Sequence, residues 1–230
     1  MIGRLLPRGI RAWVRRQAPG LARSKSEFDA SQYWESRYAG GGTSGEGSYG
    51  RLAEFKAAVL NDFVAERKCA SAIEFGCGDG NQLSLLIVPK YIGLDVSRSA
   101  IQRCIERFRN DASKCFFVFD ADCFRDPLGL FHADLALSLD VIYHVVDDDA
   151  FRAYMSALCA AADEHLVIYS TDYESKDLGH QRHRAVSSWM AARSDFEFVR
   201  AIDNPYAGTA DGQEQSDAKF LIYRRVSSNR

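Results

Sequence analysis

No apolar stretch in this sequence is long enough to cross a bilayer, and no signal-peptide core with a small-residue cleavage site is visible. Paired cysteines are missing as well. Cys69, Cys77, Cys104, Cys115, Cys123 and Cys159 are scattered, none in a C-x-x-C pair and most inside apolar runs, which excludes a disulfide framework and favours free thiols in a reducing compartment. There is no internal repeat and no composition break that would mark a second large domain. Acids are absent from residues 1–26, which hold seven of the 29 basic residues. The remainder therefore carries 22 basic against 31 acidic side chains, an acidic body with no broad surface for nucleic acid. What is there is a globular chain of 230 residues, 47% hydrophobic, sized for one domain with a substantial core and read as cytoplasmic.

Within the first 26 residues Ile2, Leu5, Leu6, Ile10, Trp13 and Val14 recur at helical spacing with arginines between them. The pattern fits peripheral contact with an anionic membrane, a frayed tail or an arginine-rich presequence. Residues 27–230 read as one domain. It begins with a short helix over Ser31 to Tyr38 and a glycine-rich run, Gly40 to Gly50, that is either a linker or a lid ending in Tyr49 and Arg51. An amphipathic helix, Leu52 to Val64, follows.

From Ser71 the pattern is strand, loop, helix, repeated. Strands are expected to Phe75 and over Tyr91–Asp95, Lys114–Asp122, Ala133–Val141 and His165–Ser170, each with a helix after it. Ser97 caps one of these helices and Asp147 opens another; a further helix is expected over Ala185–Arg193. Phe196–Ile202 and Lys219–Val226 then form a strand pair with no helix between. The fold class is α/β, a doubly wound and mostly parallel seven-stranded sheet whose final strand is antiparallel.

The chain is organised around Glu74-Phe75-Gly76-Cys77-Gly78-Asp79-Gly80, where the first strand breaks into glycines at alternate positions. Glycine there allows positive φ and lets a ligand approach the main chain. Two ligands use such a turn, a dinucleotide and S-adenosylmethionine. Glu74 and Asp79 would repel a pyrophosphate and favour the sulfonium and ammonium charges of the latter. Further acids stand at or near strand ends, at Asp95, Asp122 and Asp140, where ligands bind in such sheets. Asp95, followed by Val96, can accept both ribose hydroxyls; Asp122 can accept from an adenine amine while Cys123 or Phe124 packs on the ring.

Together, the glycine turn, Asp95 after the second strand, Asp122 after the third and Leu137-Ser138-Leu139-Asp140-Val141-Ile142-Tyr143-His144 after the fourth resemble the class I S-adenosylmethionine-dependent methyltransferases over about residues 50–226. The resemblance implies a Rossmann-like sheet and S-adenosylmethionine as cofactor. Gly76, Gly78 and Asp79 would cradle the methionine part, Asp95 the ribose and Asp122 the adenine, with Glu74, Val96, Cys123, Asp140 and Tyr49 nearby. Tyr33-Trp34-Glu35-Ser36-Arg37-Tyr38 resembles an N-terminal helix that closes over the cofactor in small-molecule members. The segment Gly80 to Pro89 is too short for that family's usual first helix.

Methyl transfer to a hydroxyl gains from a base that titrates near neutrality, so histidines are the catalytic candidates. His144 follows the fourth strand. His180-Gln181-Arg182-His183-Arg184 follows the fifth, where the family places substrate loops. His144, His180 and His183 are read as catalytic candidates, and Tyr143, Arg182 and Arg184 as substrate contacts, the arginines for an anionic acceptor. No metal is expected. The proline-aromatic signature of amino-group methylation and the paired-glutamate loop of arginine methylation are missing. That leaves oxygen of a small molecule, or of a sugar or polysaccharide end. The alternatives are an NAD-dependent oxidoreductase, disfavoured by Asn81 where the dinucleotide fingerprint has Gly or Ala, and a non-catalytic cofactor-binding partner subunit.

Overall fold

The computed structural model describes residues 28–121, 123–175, 179–208 and 215–226. The basic segment 1–26 and Asp122 lie outside the described residues, so the expectations attached to them are not addressed by it. Among the described residues no helix is long and apolar enough to cross a membrane.

Seven strands form one sheet: β1 (Ser71–Phe75), β2 (Lys90–Asp95), β3 (Lys114–Val118), β4 (Ala133–Leu139), β5 (Ala162–Ser170), β6 (Phe196–Asp203) and β7 (Lys219–Arg225). Their spatial order is β3-β2-β1-β4-β5-β7-β6. The first five pair in parallel, and β7 runs antiparallel to both β5 and β6. The one antiparallel strand is thus the last in sequence. β4 is apolar along nearly its whole length because both its faces are covered.

Among the described residues five α-helices accompany the sheet: α1 (Ala30–Ala39), α2 (Gly50–Arg67), α3 (Arg98–Arg107), α4 (Asp148–Ala160) and α5 (Val186–Ala191). Leu60, Phe63 and Val64 of α2 and Ile101 and Cys104 of α3 pack with β4 and β7 on one face. Tyr154, Met155 and Leu158 of α4 and Val186 and Met190 of α5 pack on the other. Ser97 accepts from the Ala100 amide and Asp147 from those of Asp149 and Ala150, so both anticipated caps are made.

Five strand-helix units were expected, and the structure corrects this. The connection after β1 holds only a 3₁₀ turn, Leu83–Leu85, and that after β3 forms no helix among the described residues. Pro89 cuts the first connection short, and Pro127 interrupts the second. The uncovered positions show the consequence, with Ile87 74% and Leu128 79% exposed. β3 ends at Val118 on the sheet edge, short of Asp122, and β4 ends at Leu139 because Asp140 turns to φ +60°.

The strand order reverses between β1 and β4, which places a crevice beyond their carboxyl ends. The functional site lies there.

Candidate functional site

β1 leaves the sheet at Gly76, whose amide donates to the Leu94 carbonyl of β2 at 2.7 Å. Gly76 and Gly78 take φ of +90° and +58°. Space forbids a side chain at either, since a Cβ on Gly76 would lie 2.3 Å from Val141 Cγ2 and one on Gly78 2.3 Å from Ser44 Oγ. The turn opens onto a cavity of about 620 Å³, the size of a nucleoside-scale ligand site. Of the residues anticipated from sequence, Glu74, Gly76, Gly78, Asp95, Val96, Asp140 and His144 line it.

Its acids differ in character. Asp95 accepts from the Gly78 and Ser97 amides, each at 2.9 Å, yet burial pushes its carboxyl up to about 6. Glu74 is buried under the Tyr91 hydroxyl and is pushed up to about 7, again by burial. Asp79 stands outside the cavity. Burial raises it, but bonds from the Tyr49 hydroxyl at 2.8 Å and from the Asn81 and Ser44 amides outweigh this and hold it below the ordinary range. Tyr49 therefore reaches Asp79 and does not line the cavity. Cys123 is exposed and is likewise no part of the wall.

The glycine-rich run before α2 is docked against the glycine turn. Ser44 Oγ accepts from the Asp79 amide at 2.9 Å and bonds the Tyr38 hydroxyl at 3.0 Å, while Asn81 Nδ2 donates to the Ser48 carbonyl at 2.7 Å. Arg103 of α3 donates to the carbonyls of Gly42 and Tyr38. α1 is tied down by Glu35, which accepts from both Ser97 and Ser99 hydroxyls at 2.7 Å and from the Ser99 amide. Those bonds, Ser99 first, hold Glu35 down at about 2. Sequence reasoning did not single out Glu35, Ser44, Lys56 or Arg103. Only Lys56 carried a signal: it sits on the apolar stripe of α2, four residues from both Leu52 and Leu60.

Beyond β4, Lys56 is fully buried and its ammonium lies 2.6 Å from Asp140 Oδ2. Tyr143 donates to the other carboxylate oxygen at 3.1 Å. His144 ends the 3₁₀ turn Ile142–His144, and its Nδ1 lies 3.2 Å from the His180 carbonyl oxygen. A carbonyl only accepts, so that contact fixes the proton on Nδ1 and leaves Nε2 as an acceptor. Burial pushes His144 down to about 4. Its ring meets Trp34 edge-on at 5.1 Å and stacks with His180 at 6.1 Å.

His183 is set apart, bonded to Thr171 Oγ1 at 2.7 Å and stacked on Tyr173. The two arginines clamp the turn leading into α4. Arg184, 6% exposed, donates to the Val145 and Val146 carbonyls at 2.6 and 2.7 Å, and Arg182 pairs with Asp148 at 2.9 Å. Tyr143, His180, Arg182, His183 and Arg184 do not line the cavity. Among the described residues no group of three His, Cys, Asp or Glu side chains is placed to hold a metal ion.

A family profile described as a methyltransferase domain matches residues 48–204. None of the curated proteins matches the chain in sequence. Among solved structures, the chain is similar to the N-methyltransferase NodS from Bradyrhizobium japonicum WM9 in complex with S-adenosyl-L-homocysteine. That match has a TM-score of 0.67 at 16% identity and covers 87% of this chain and 100% of the other. Magnesium protoporphyrin IX methyltransferase from Synechocystis PCC 6803 with bound S-adenosylmethionine matches with a TM-score of 0.61 at 13% identity, over 88% and 100% of the two chains. The small RNA methyltransferase HEN1 matches with a TM-score of 0.58 at 16% identity, over 81% of this chain and 27% of that one.

Proposed function

The chain belongs to the methyltransferase domain family, and from that premise we propose that it transfers the methyl group of S-adenosylmethionine to a hydroxyl of a small molecule or of a sugar or polysaccharide end. The cavity suits that cofactor. Its glycine turn leaves no room for side chains where a ligand meets the main chain, and its buried wall offers the carboxylates of Glu74 and Asp95 to a cation. Each Asp95 oxygen accepts one amide and keeps a lone pair for a ribose hydroxyl. Gly76 and Gly78 would face the methionine part, and Val96, Ala121 and Val141 would pack on the base. Bound there, the cofactor supplies an electrophilic methyl carbon on a sulfonium.

One observation carries the oxygen reading: the cavity-lining His144 has Nδ1 committed to the His180 carbonyl, so Nε2 is a fixed proton acceptor. It would receive the hydroxyl's hydrogen bond and then its proton, as the carbon–oxygen bond forms and the carbon–sulfur bond breaks. Trp34 and the His180 backbone hold the ring, and the lid excludes water. His183, Arg182 and Arg184 support this arrangement by fixing the loops behind it.

The test is methyl-labelled S-adenosylmethionine supplied to the protein with a cell extract, followed by mass spectrometry of labelled products. The label is expected on oxygen; label on nitrogen or carbon overturns the reading. His144→Ala should lower kcat on the product-yielding acceptor by about 10²-fold or more while S-adenosylhomocysteine still binds. Because burial holds His144 down at about 4, the acid limb of kcat/KM for the acceptor, measured at saturating S-adenosylmethionine, should fall near pH 4 and not near 6.5. Unchanged turnover in the variant removes His144 from the chemistry.

A further inference from the structure

The end of the cavity around His144 has a composition that restricts what enters it. Among the described residues, Asp29, Asp140 and Asp147 line this end with a single ammonium, Lys56, which is already paired with Asp140 at 2.6 Å. Arg182 and Arg184 are spent on the Val145 and Val146 carbonyls and Asp148. Arg37 does not line the cavity; its guanidinium lies 5.7 Å from the Trp34 ring centroid and its Nε donates to the Thr43 carbonyl at 2.6 Å. Among the described residues, an anionic acceptor would find no unpaired cation in this wall and would meet its acids.

The acids at this end are already engaged, Asp140 by Lys56 and Tyr143. Asp29 already accepts the Gln32 amide as the cap of α1, and Asp147 accepts those of Asp149 and Ala150 as the cap of α4. Val145, Val146 and Ala150 also line the cavity, as do the rings of Phe28 and Trp34. The two rings belong to a cluster with Tyr33 and His180, in which Phe28 and Tyr33 lie 5.4 Å apart and Tyr33 stacks on His180 at 5.7 Å. A sugar's several hydroxyls would have to share these engaged acids and the Ser31 hydroxyl. A flat apolar ring with one hydroxyl needs only the faces and His144 Nε2.

We propose that the acceptor is an uncharged aromatic hydroxyl compound, held between the Trp34–Phe28 wall and Val145–Val146 with its hydroxyl on His144. This narrows, and rests on, the reading of the cavity as an oxygen methyltransferase site. It also reverses the expectation that arginines hold an anionic acceptor.

The test uses the full-length protein saturated with S-adenosylhomocysteine and three probes: 2-naphthol, its carboxylated analogue 6-hydroxy-2-naphthoate, and methyl glucoside. Calorimetry or ligand-observed NMR should show naphthol binding at least about ten-fold tighter than the carboxylate and no binding of the glucoside. Trp34→Ala should weaken naphthol about ten-fold or more, and Trp34→Phe, which keeps a ring, should restore most of it. A carboxylate that binds as tightly as naphthol, a glucoside that binds in its place, or no naphthol binding overturns the proposal. The wild-type affinity for S-adenosylhomocysteine is measured first; if it fails to bind, the reading of the cavity falls with the proposal, whereas binding without naphthol selectivity sinks the proposal alone.

Discussion

Lys56 has no exposed surface and pairs at 2.6 Å with Asp140, which sits in the left-handed region at φ +60°. Its ammonium also lies 5.2 Å from the Tyr169 ring centroid. Taking away one member of such a pair leaves a buried charge without compensation, at about 3 kcal/mol or more, whereas removing both is far cheaper. Lys56→Met is therefore expected to lower unfolding stability by about 3 kcal/mol. Adding Asp140→Asn, a side chain that tolerates the left-handed backbone, should recover most of the loss. Urea denaturation of the two single variants and the double decides it, and strictly additive losses would show that the pair is not coupled. The same pair marks what sequence reading could reach at this scale. The glycine turn, Asp95 and His144 were legible because each depends only on its own few neighbours and its place at a strand end. Lys56 with Asp140 and Glu35 with Ser97 join residues 84 and 62 apart, and only the fold creates them. His183, Arg182 and Arg184 were found in the right loop, but their partners, Thr171 and the carbonyls of Val145 and Val146, come from other elements and take up the bonds that an acceptor would have used.

The lid and α1 are short, and neither buries much of its own surface; Tyr38 is the buried side chain of α1. Their position depends on hydrogen bonds to the glycine turn and to α3. Gly78 is where these meet, since a Cβ there would intrude 2.3 Å from Ser44 Oγ and 3.1 Å from the Tyr38 hydroxyl, at a φ that disfavours any side chain. Gly78→Ala should undock the lid without disturbing the sheet. Trypsin is expected to cut at Arg37 and Arg51 at least several-fold faster, with S-adenosylhomocysteine affinity down about ten-fold or more and the far-ultraviolet spectrum unchanged. Wild-type cleavage rates and affinity in the variant would mean that the run does not act as a lid. The glycine run alone leaves lid and linker open because glycine sets no conformation; the bond that docks it, from the amide of Asp79, thirty-five residues on, to Ser44, comes from the fold. Strands were legible throughout from apolar runs ended by acids and glycine. Helices were not, after β1 and β3, where Pro89 and Pro127 override the alternation that the rest of the chain obeys.

Negative charge predominates in residues 27–230 and lines the cavity proposed for a cationic cofactor. Residues 27–230 carry nine more acids than bases, and Glu74 and Asp95 are buried beneath the glycine turn at about 7 and about 6. In both, the folded state binds a proton more tightly than the unfolded chain. Their contribution to stability is thus present below about pH 4 and is lost as pH rises through 6 and 7. For Glu74 the penalty in the free protein at pH 8 is about 3 kcal/mol. His144 acts in the opposite sense, losing stability as pH falls from 6.5 toward 4. A sulfonium entering this site favours the ionised carboxylates, so binding must expel protons. Calorimetry at pH 6.5 in buffers of different ionisation enthalpy should find protons released on S-adenosylmethionine binding, and fewer released with S-adenosylhomocysteine, which lacks the sulfonium charge. Glu74→Gln, which keeps an acceptor for Tyr91, should cut the release, weaken S-adenosylmethionine more than S-adenosylhomocysteine, and raise the stability of the free protein at pH 8 by about 2 kcal/mol. Proton uptake, or equal release by both ligands, would mean that the buried acids answer to the shape of the ligand and not to its charge, since shape is what the two ligands share.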